Sequence, residues 1–501
     1  MTRPKLLGIP SGITRGSRLS CVSTSENNST ATNRILSALG ESSKVLKELG
    51  ELFAKNGFEI SLVGGPVRDA VLGKTVKDLD LTTNAKPAEI QKCLKSWADS
   101  IWDVGIKFGT VGAKLNDYVF EITTYRTEQY EDTSRKPSVE FGITLEEDLA
   151  RRDFTINAMA LRLPSFELVD IYNGLTDLNN KILRTPLDAQ VSFSEDPLRI
   201  LRAARFIAKL DLKPQADLVE ALRNLAERLK IVSMERINDE FNKLMLTSNP
   251  RPGIELLVET GVAEHFLPEL PALKLEIDEH NHHKDVYQHS LKVMEQAIDL
   301  EKNHEPQLDS DLVLRLAALL HDIGKPKTRK FEGEGRVSFH HHEVVGARLA
   351  KKRLEKLRYS KEIIEQVCLL IELHLRFHGY GDGKWSDSAV RRYVRDADEQ
   401  LIRLHKLTRA DCTTRNEAKA LKLKNAYDDL EERIIELSKQ EELKSMRPEL
   451  DGSEIMKILN IKPGPEVGKA YQFLLDLRLD KGVLGVEKAT EELKTWWAKN
   501  S

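Results

Sequence analysis

The sequence predicts an α+β protein, with a mostly antiparallel sheet in its N-terminal part followed by domains built almost wholly of helices. Three observations carry this. Short strand-like runs, some with acidic residues at alternate positions, gather before about residue 185. From Asp196 onward, apolar residues recur at helical spacing. The helical part is punctuated by proline- and glycine-bearing loops at Pro268–Pro271 and Lys462–Pro465. The length of 501 residues implies three or four domains at about 100–200 residues each.

Along the chain, residues 1–40 read as a disordered tail. Ile35, Leu36, Leu39, Val45, Leu46, Leu49, Leu52 and Phe53 then keep helical spacing over Asn33–Gly57. A strand at Glu59–Val63 ends in Gly64-Gly65, and a helix follows at Val67–Leu72. Asp78–Leu81, Val111–Leu115 and Val119–Thr124 read as further strands. A helix over Leu198–Leu210 has Pro197 at its start, where a missing N–H costs nothing. Helices continue to about Val262, again from Tyr287 to about Arg415, and as a long charged helix over Asn416–Lys444.

Composition narrows the function classes. Hydrophobic residues make up 40% and charged residues 31%, with a formal net charge of −3, so RNA contact would come from local basic patches. Cys21, Cys93, Cys368 and Cys412 form no CxxC pair, which excludes a cysteine zinc ribbon and a disulfide framework. The expected compartment is the reducing cytoplasm. The longest apolar run, Leu312–Leu320, is broken by Arg315 and too short for a bilayer, so no membrane partner is expected. Arg3, Lys5, Arg15 and Arg18 precede the first acidic residue, Glu26. That pattern fits an organellar targeting segment over residues 1–30, while poor apolar periodicity fits a plain tail.

The first chemical constellation starts at Gly64-Gly65-Pro66-Val67-Arg68-Asp69, between a strand and a helix. A glycine pair there lets backbone N–H groups approach a phosphate, though alone it is equally a plain turn. Asp78 and Asp80 follow at strand spacing, so both carboxylates face one way. Converging carboxylates repel unless cations lie between them, and Mg²⁺ suits an all-oxygen set. Glu121, on a later strand, is a third candidate. A lone DxD is as well explained by a solvated face.

Taken in order, these residues resemble the class II tRNA nucleotidyltransferase and poly(A) polymerase family. The match is Leu62-Val63-Gly64-Gly65-Pro66-Val67-Arg68-Asp69, then Asp78-Leu79-Asp80, then Arg151-Arg152-Asp153-Phe154-Thr155-Ile156-Asn157, then Asp170-Ile171-Tyr172-Asn173-Gly174, then Glu195-Asp196-Pro197-Leu198-Arg199. The resemblance implies that Asp78, Asp80 and Glu121 are catalytic and that Gly64, Gly65 and Arg68 bind the triphosphate. It implies that Asp153, with Arg152 beside it, reads the ribose. Asp196 and Arg199 would pair with the edge of cytosine or adenine as an amino-acid template. The segment Tyr130–Leu145 would govern the switch from C to A addition. CTP, ATP and tRNA are the implied partners, and addition of a terminal CCA the implied activity. A poly(A) polymerase or an enzyme adding only CC or only A is the alternative.

The second constellation is His289, His321-Asp322 and Asp411 on separate helical stretches. An adjacent His-Asp pair in the apolar run Leu319–Lys325 needs a reason to be buried. These residues resemble an HD phosphohydrolase domain. The implied metal is a divalent transition ion such as Ni²⁺, Co²⁺, Mn²⁺ or Fe²⁺, because the ligands mix imidazole with carboxylate. His342 and either His374 or His378 are candidates for a second ion. A degenerate, purely structural HD domain is the alternative, as is an HD phosphohydrolase whose N-terminal half only binds RNA.

The resemblances divide the chain into a tail (1–40), a catalytic head (41–185), a helical neck with nucleotide-template and RNA-binding helices (186–270), an HD domain (275–415) and a helical C-terminal tail (416–501). In the neck, Arg202, Arg205 and Lys209 form a basic stripe beyond Arg199 that suits tRNA phosphates, or equally a solvated helical face. No zinc-finger, RRM or KH pattern occurs, so tRNA would be read by shape.

Overall fold

The computed structural model describes residues 20–500, apart from 77, 106–108, 132–133, 142–143, 275–284, 305–308, 333–335, 378–379, 381–384, 413–415 and 442–446. They form two compact units. The first runs to Arg199 and takes in Asp211–Leu225; the second holds Ile200–Leu210 and Ala226 onward.

The first unit is organised by a seven-stranded sheet in the order β3-β4-β5-β2-β1-β8-β9. Its strands are β1 (Ile60–Val63), β2 (Asp78–Thr83), β3 (Ser100–Gly105), β4 (Thr110–Leu115), β5 (Tyr118–Thr124), β8 (Ala160–Leu163) and β9 (Glu167–Val169). Between them, β6 (Arg126–Glu131) and β7 (Ser134–Phe141) make a separate antiparallel hairpin. The sheet is mostly antiparallel, as expected, with β2 and β5 parallel. β1 is buried at every position, as a central strand covered on both faces must be. β2 and β5 instead alternate: Leu79, Leu81, Phe120 and Ile122 point into the core while Asp78, Asp80 and Glu121 point out. The parallel register sets Asp80 directly beside Glu121. That single pairing assembles the three carboxylates from two separate stretches of sequence.

Two expectations need correction here. The N-terminal tail was expected to run to residue 40, yet Ser20–Leu39 is a helix that buries Ala31, Ile35 and Leu39. It packs on the helix Gly65–Val71 and on β9. Its polar first half hides the helical period, and only the tertiary partner makes the second half worth ordering. The single helical stretch over Asn33–Gly57 is two helices, Ser20–Leu39 and Ser42–Lys55, broken where Gly40 takes a positive φ of 50°. The candidate targeting segment falls mostly on residues outside those described. So does His378.

The second unit is helical apart from the short ribbon Lys330–Glu332/Arg336–Ser338. Arg315 interrupts the apolar helix Leu312–Leu320 for a structural reason. It is buried against Glu301 at 2.8 Å and donates to the carbonyls of Met245 and Thr247. A buried guanidinium thus supplies donors to a helix end that has none of its own. The C-terminal helices Gly452–Leu459, Pro465–Lys481 and Val486–Asn500 close on a small core of Leu450, Ile455, Ala470, Leu474, Ala489 and Leu493. Among the described residues, no helix is long and apolar enough to cross a membrane.

Candidate functional site

The outward carboxylates of β2 and β5 act on one another. The Asp80 carboxyl is pushed above its ordinary value, first by desolvation, then by the charges of Glu121 and Asp78, with Arg152 opposing. Two carboxylates whose charges add to the desolvation of a third form a cation-binding arrangement. The glycine turn lies at the head of the adjacent β1. Gly64 has φ 74°, the left-handed region that favours glycine, and a Cβ there would sit 2.9 Å from Nη1 of Arg152, whose side-chain end would have to shift.

Arg152 is held in turn. Asp148, fully buried, takes Arg152 on one oxygen at 3.0 Å and Arg151 on the other at 2.5 Å. Burial alone would raise the Asp148 carboxyl; the two guanidinium charges outweigh it and hold it below its usual value. Asp148 was not singled out from the sequence. Its only signal is the capping-box helix Leu145–Ala150 it shares with Glu147.

Asp153 accepts from the backbone of Phe154 and from Asn157 Nδ2 at 2.9 Å. Asn157 Oδ1 accepts from Arg68 Nη1 at 2.6 Å, and Arg68 also grips Asp69 at 2.8 Å. Arg68, expected at the triphosphate, is therefore a buried tie between the glycine turn and the Asp153 segment. Asn157 stands in the matched motif, where the sequence alone assigned it no role. Asp170 caps the helix Gly174–Asn179 by accepting from the N–H groups of Gly174 and Leu175.

Arg199 is buried. Nη1 bonds Ser192 Oγ at 2.7 Å, Nη2 bonds the carbonyl of Arg151 at 2.5 Å, and Glu195 lies at 3.8 Å. Asp196 accepts from the Leu198 N–H at 3.2 Å and so caps the helix that carries Arg199. The structure thus joins Arg199 to the Arg151-Arg152-Asp153 segment. In the second unit, Arg202 and Arg205 both turn to the buried carboxylate of Glu240, at 3.4 and 2.7 Å, while Lys209 is exposed.

The histidine cluster is built from helix ends. His289 lies in the first turn of Val286–Lys302, His321 and Asp322 follow Leu312–Leu320, His342 opens His342–Lys356, His374 follows Lys361–Leu373, and Asp411 closes Leu401–Asp411. His321, His342 and His374 each direct Nδ1 at a carbonyl three residues back: Ala318 at 2.9 Å, Phe339 at 2.8 Å and Ile371 at 2.6 Å. A carbonyl only accepts, so Nδ1 carries the hydrogen and Nε2 presents a lone pair. All three Nε2 atoms are buried without a hydrogen bond. Oxygens of Asp322 lie 3.3 Å from Nε2 of both His321 and His342, and Asp411 lies 2.9 Å from His289 Nε2.

Lone pairs that face carboxylates across such gaps call for a cation. The donor atoms sort into two sets, His289, His321 and Asp411, and Asp322, His342 and His374, each within 4.8 Å. Burial, with the neighbouring His321, drives the His374 imidazole down to about 3, so it stays neutral and able to ligate. For His321, burial would lower the value, but Asp322 and Asp411 raise it. The expected four residues come together, and His342 and His374 join them. Lys325, which reaches Asp322 Oδ2 at 2.6 Å, was not foreseen.

Three family models match the chain: a poly A polymerase head domain over residues 60–184, a probable RNA and SrmB-binding site of polymerase A over 211–273, and an HD domain over 286–416. Among curated proteins, an A-adding tRNA nucleotidyltransferase of Deinococcus radiodurans is 33% identical over 366 residues, 71% of this chain and 80% of that protein. A CCA-adding enzyme of Streptococcus sanguinis is 43% identical over 223 residues, 44% of this chain and 54% of that protein. The chain thus spans about half the length of the CCA-adding relatives it matches. Among solved structures, the CCA-adding enzyme of Bacillus stearothermophilus in complex with CTP aligns with a TM-score of 0.64 at 21% identity, covering 91% of this chain and 98% of that one. The Thermotoga maritima CCA-adding enzyme complexed with tRNA aligns at 0.61 and 19% identity, covering 93% and 98%. These structural likenesses establish a shared fold. The head and HD domains together imply use of divalent metal.

Proposed function

The chain belongs to the tRNA nucleotidyltransferase and poly(A) polymerase family, and from that premise we propose that it adds or repairs the 3′-terminal CCA of tRNA, using CTP and ATP without a nucleic-acid template. The observation that carries this reading is the Asp78, Asp80 and Glu121 set, brought together by the β2–β5 register on a strand that pairs with β1, which runs into the Gly64 turn. Asp78 and Asp80 would hold Mg²⁺, with Glu121 supporting them. Mg²⁺ held there would supply positive charge to the triphosphate and to the attacking RNA hydroxyl. The chain's own groups do the rest. Backbone N–H groups after Gly64 receive phosphate, and Arg152 lends positive charge at the same turn. Asp153, fixed by Asn157, accepts from a ribose hydroxyl. Asp196 and Arg199 choose the base, with Arg199 releasing Ser192 or Arg151 to offer its fork.

A specific observation favours a second reading. The Deinococcus relative that matches over 71% of this chain is an A-adding enzyme. Addition of A alone would need a partner to supply CC. One experiment separates the two: incubate the protein with tRNA lacking CCA, and with tRNA ending in CC, with each NTP, and sequence the products. Extension of only the CC-ended tRNA selects the A-adding reading. Extension of neither rejects both.

For the HD domain the proposal is a metal-dependent phosphohydrolase acting on damaged 3′ ends. His289, His321, Asp322 and Asp411, with His342 and His374, would hold one or two of Ni²⁺, Co²⁺, Mn²⁺ or Fe²⁺, which supply a hydroxide at neutral pH. Arg202, Arg205 and Lys209 are the proposed tRNA phosphate contacts of the neck, with Arg202 and Arg205 also holding Glu240. No membrane partner is proposed, and the cytoplasm is the proposed location.

A further inference from the structure

Between Asp322 and His342, two members of the histidine cluster, the chain makes a short excursion. It runs through one helical turn, Lys325–Thr328, into the antiparallel ribbon Lys330–Glu332/Arg336–Ser338. Both ends are tied to the cluster. Before the ribbon, Lys325 bonds Asp322 at 2.6 Å. After it, the Phe339 carbonyl accepts from His342 Nδ1 at 2.8 Å. The two ends also close on each other. A Cβ on Gly324 would come 2.1 Å from the His342 carbonyl, so the backbones touch. The ribbon is a projection rooted at the candidate metal centre.

The segment leading into the ribbon is basic up to Phe331, after which Glu332 and Glu334 follow in the sequence. From Gly324 to Phe331 the sequence holds Lys325, Lys327, Arg329 and Lys330 and no acidic residue. Phe331 is the most exposed large hydrophobic residue among those described, at 70%. The Arg329 guanidinium lies over its ring at 4.7 Å. A cation above the ring orients it and leaves an aromatic surface flanked by positive charge. Two-stranded ribbons are marginal by themselves, so an aromatic ring spent on solvent here gains nothing for folding.

We propose that this ribbon is a binding platform for the single-stranded 3′ end of an RNA. Phe331 stacks an unpaired base, and Arg329, Lys327 and Lys330 meet the adjoining phosphates, so that the terminal phosphate reaches the histidine cluster. Aromatic stacking with flanking cations is the chemistry that holds single strands without reading sequence. The inference rests on the phosphohydrolase reading of the cluster for its purpose, though not for the binding itself.

The test uses the full-length protein and a short single-stranded oligoribonucleotide with 4-thiouridine next to its 3′ end. Photocrosslinks are mapped by mass spectrometry, and the competitors are the unlabelled strand and a blunt RNA duplex. Crosslinking to the segment 325–331 is expected. Phe331→Ala should lower the yield at Arg329 and Lys330 about tenfold, the scale of one base–aromatic stack, and Phe331→Trp should restore it. The unlabelled strand should compete and the duplex should not. Crosslinks confined to other segments, equal yield in Phe331→Ala, or equal competition by the duplex would each overturn the platform. A wild-type protein that crosslinks there but hydrolyses no 2′,3′-cyclic phosphate counts against the phosphohydrolase reading alone.

Discussion

Arg199 donates from Nη2 to the backbone carbonyl of Arg151 at 2.5 Å. That contact joins the helix carrying the base-selecting candidates to the segment carrying Arg152 and Asp153. From Arg151 the connection continues through Asp148 to Arg152, and from Arg152 to Gly64 and the charge on Asp80. The proposed base-selecting residues and the glycine turn are therefore linked through one set of guanidinium contacts.

Arg199→Ala is expected to relax base choice more than it weakens tRNA binding. Loss of charge-assisted hydrogen bonds of about 1.5–3 kcal/mol corresponds to roughly ten- to a hundredfold in discrimination. Arg199→Lys should not rescue it, because an ammonium cannot reproduce the fork. The measurement is kcat/KM for CTP and ATP against UTP and GTP; unaltered ratios would end the template assignment.

Asp78→Ala and Asp80→Ala should each lower nucleotide addition by about a thousandfold or more, the scale of losing a transition-state charge clamp. Gel-shift affinity for tRNA should change little. Near-wild-type addition by both variants would remove these residues from catalysis.

Asp80 also predicts a metal-linked stability change. Its carboxyl is raised on folding, so its contribution is greatest at low pH and is lost as pH rises through the folded value. At neutral pH, Asp80→Asn should raise the melting temperature of the metal-free protein. Mg²⁺ should stabilise the wild type and not the variant. A variant that melts lower than the wild type without metal contradicts this.

Asp148 has the opposite sign. Its carboxyl is held low by Arg151 and Arg152, so its stabilisation is present above the unfolded value and fades as pH falls through the folded one. Asp148→Ala leaves two partly buried guanidinium groups without their carboxylate and should cost about 3–5 kcal/mol in urea unfolding of the first unit. A loss below about 1 kcal/mol, the scale of an exposed pair, would mean the pair is screened after all.

His321→Ala or Asp322→Ala should strip transition metal from the protein and end hydrolysis of 2′,3′-cyclic phosphates while nucleotide addition continues. The two sites draw on different ligand chemistries, oxygen only in the head and imidazole with carboxylate in the HD domain. Metal analysis of the wild type decides first. Absence of bound metal, with His321→Ala altering only the melting temperature, would leave the cluster a structural one.

Local patterns in the sequence were enough to mark both candidate sites. The i, i+2 spacing of Asp78 and Asp80 follows from strand geometry, the Gly64 turn from backbone sterics, and the His-Asp pair from the oddity of ionisable groups in an apolar helix. The helical period likewise marked most elements after Asp196. What sequence could not supply was pairing across distance. The β2–β5 register that seats Glu121 beside Asp80 depends on strands about 40 positions apart. The hydrogen bonds of Arg199 to Arg151 and of Arg68 to Asn157 hold side chains that the sequence leaves without partners. Arg202 and Arg205 read as a basic stripe because Glu240, which pairs with both, lies on another helix. His342 and His374 became ligand candidates of equal standing only when five helix ends met at one point and left their Nε2 atoms without hydrogen bonds. Periodicity is a property of neighbours along the chain, and the sequence determines it directly. Which charges are spent on one another, and which remain for a metal or an RNA, depends on which surfaces meet, and only the tertiary structure decides that.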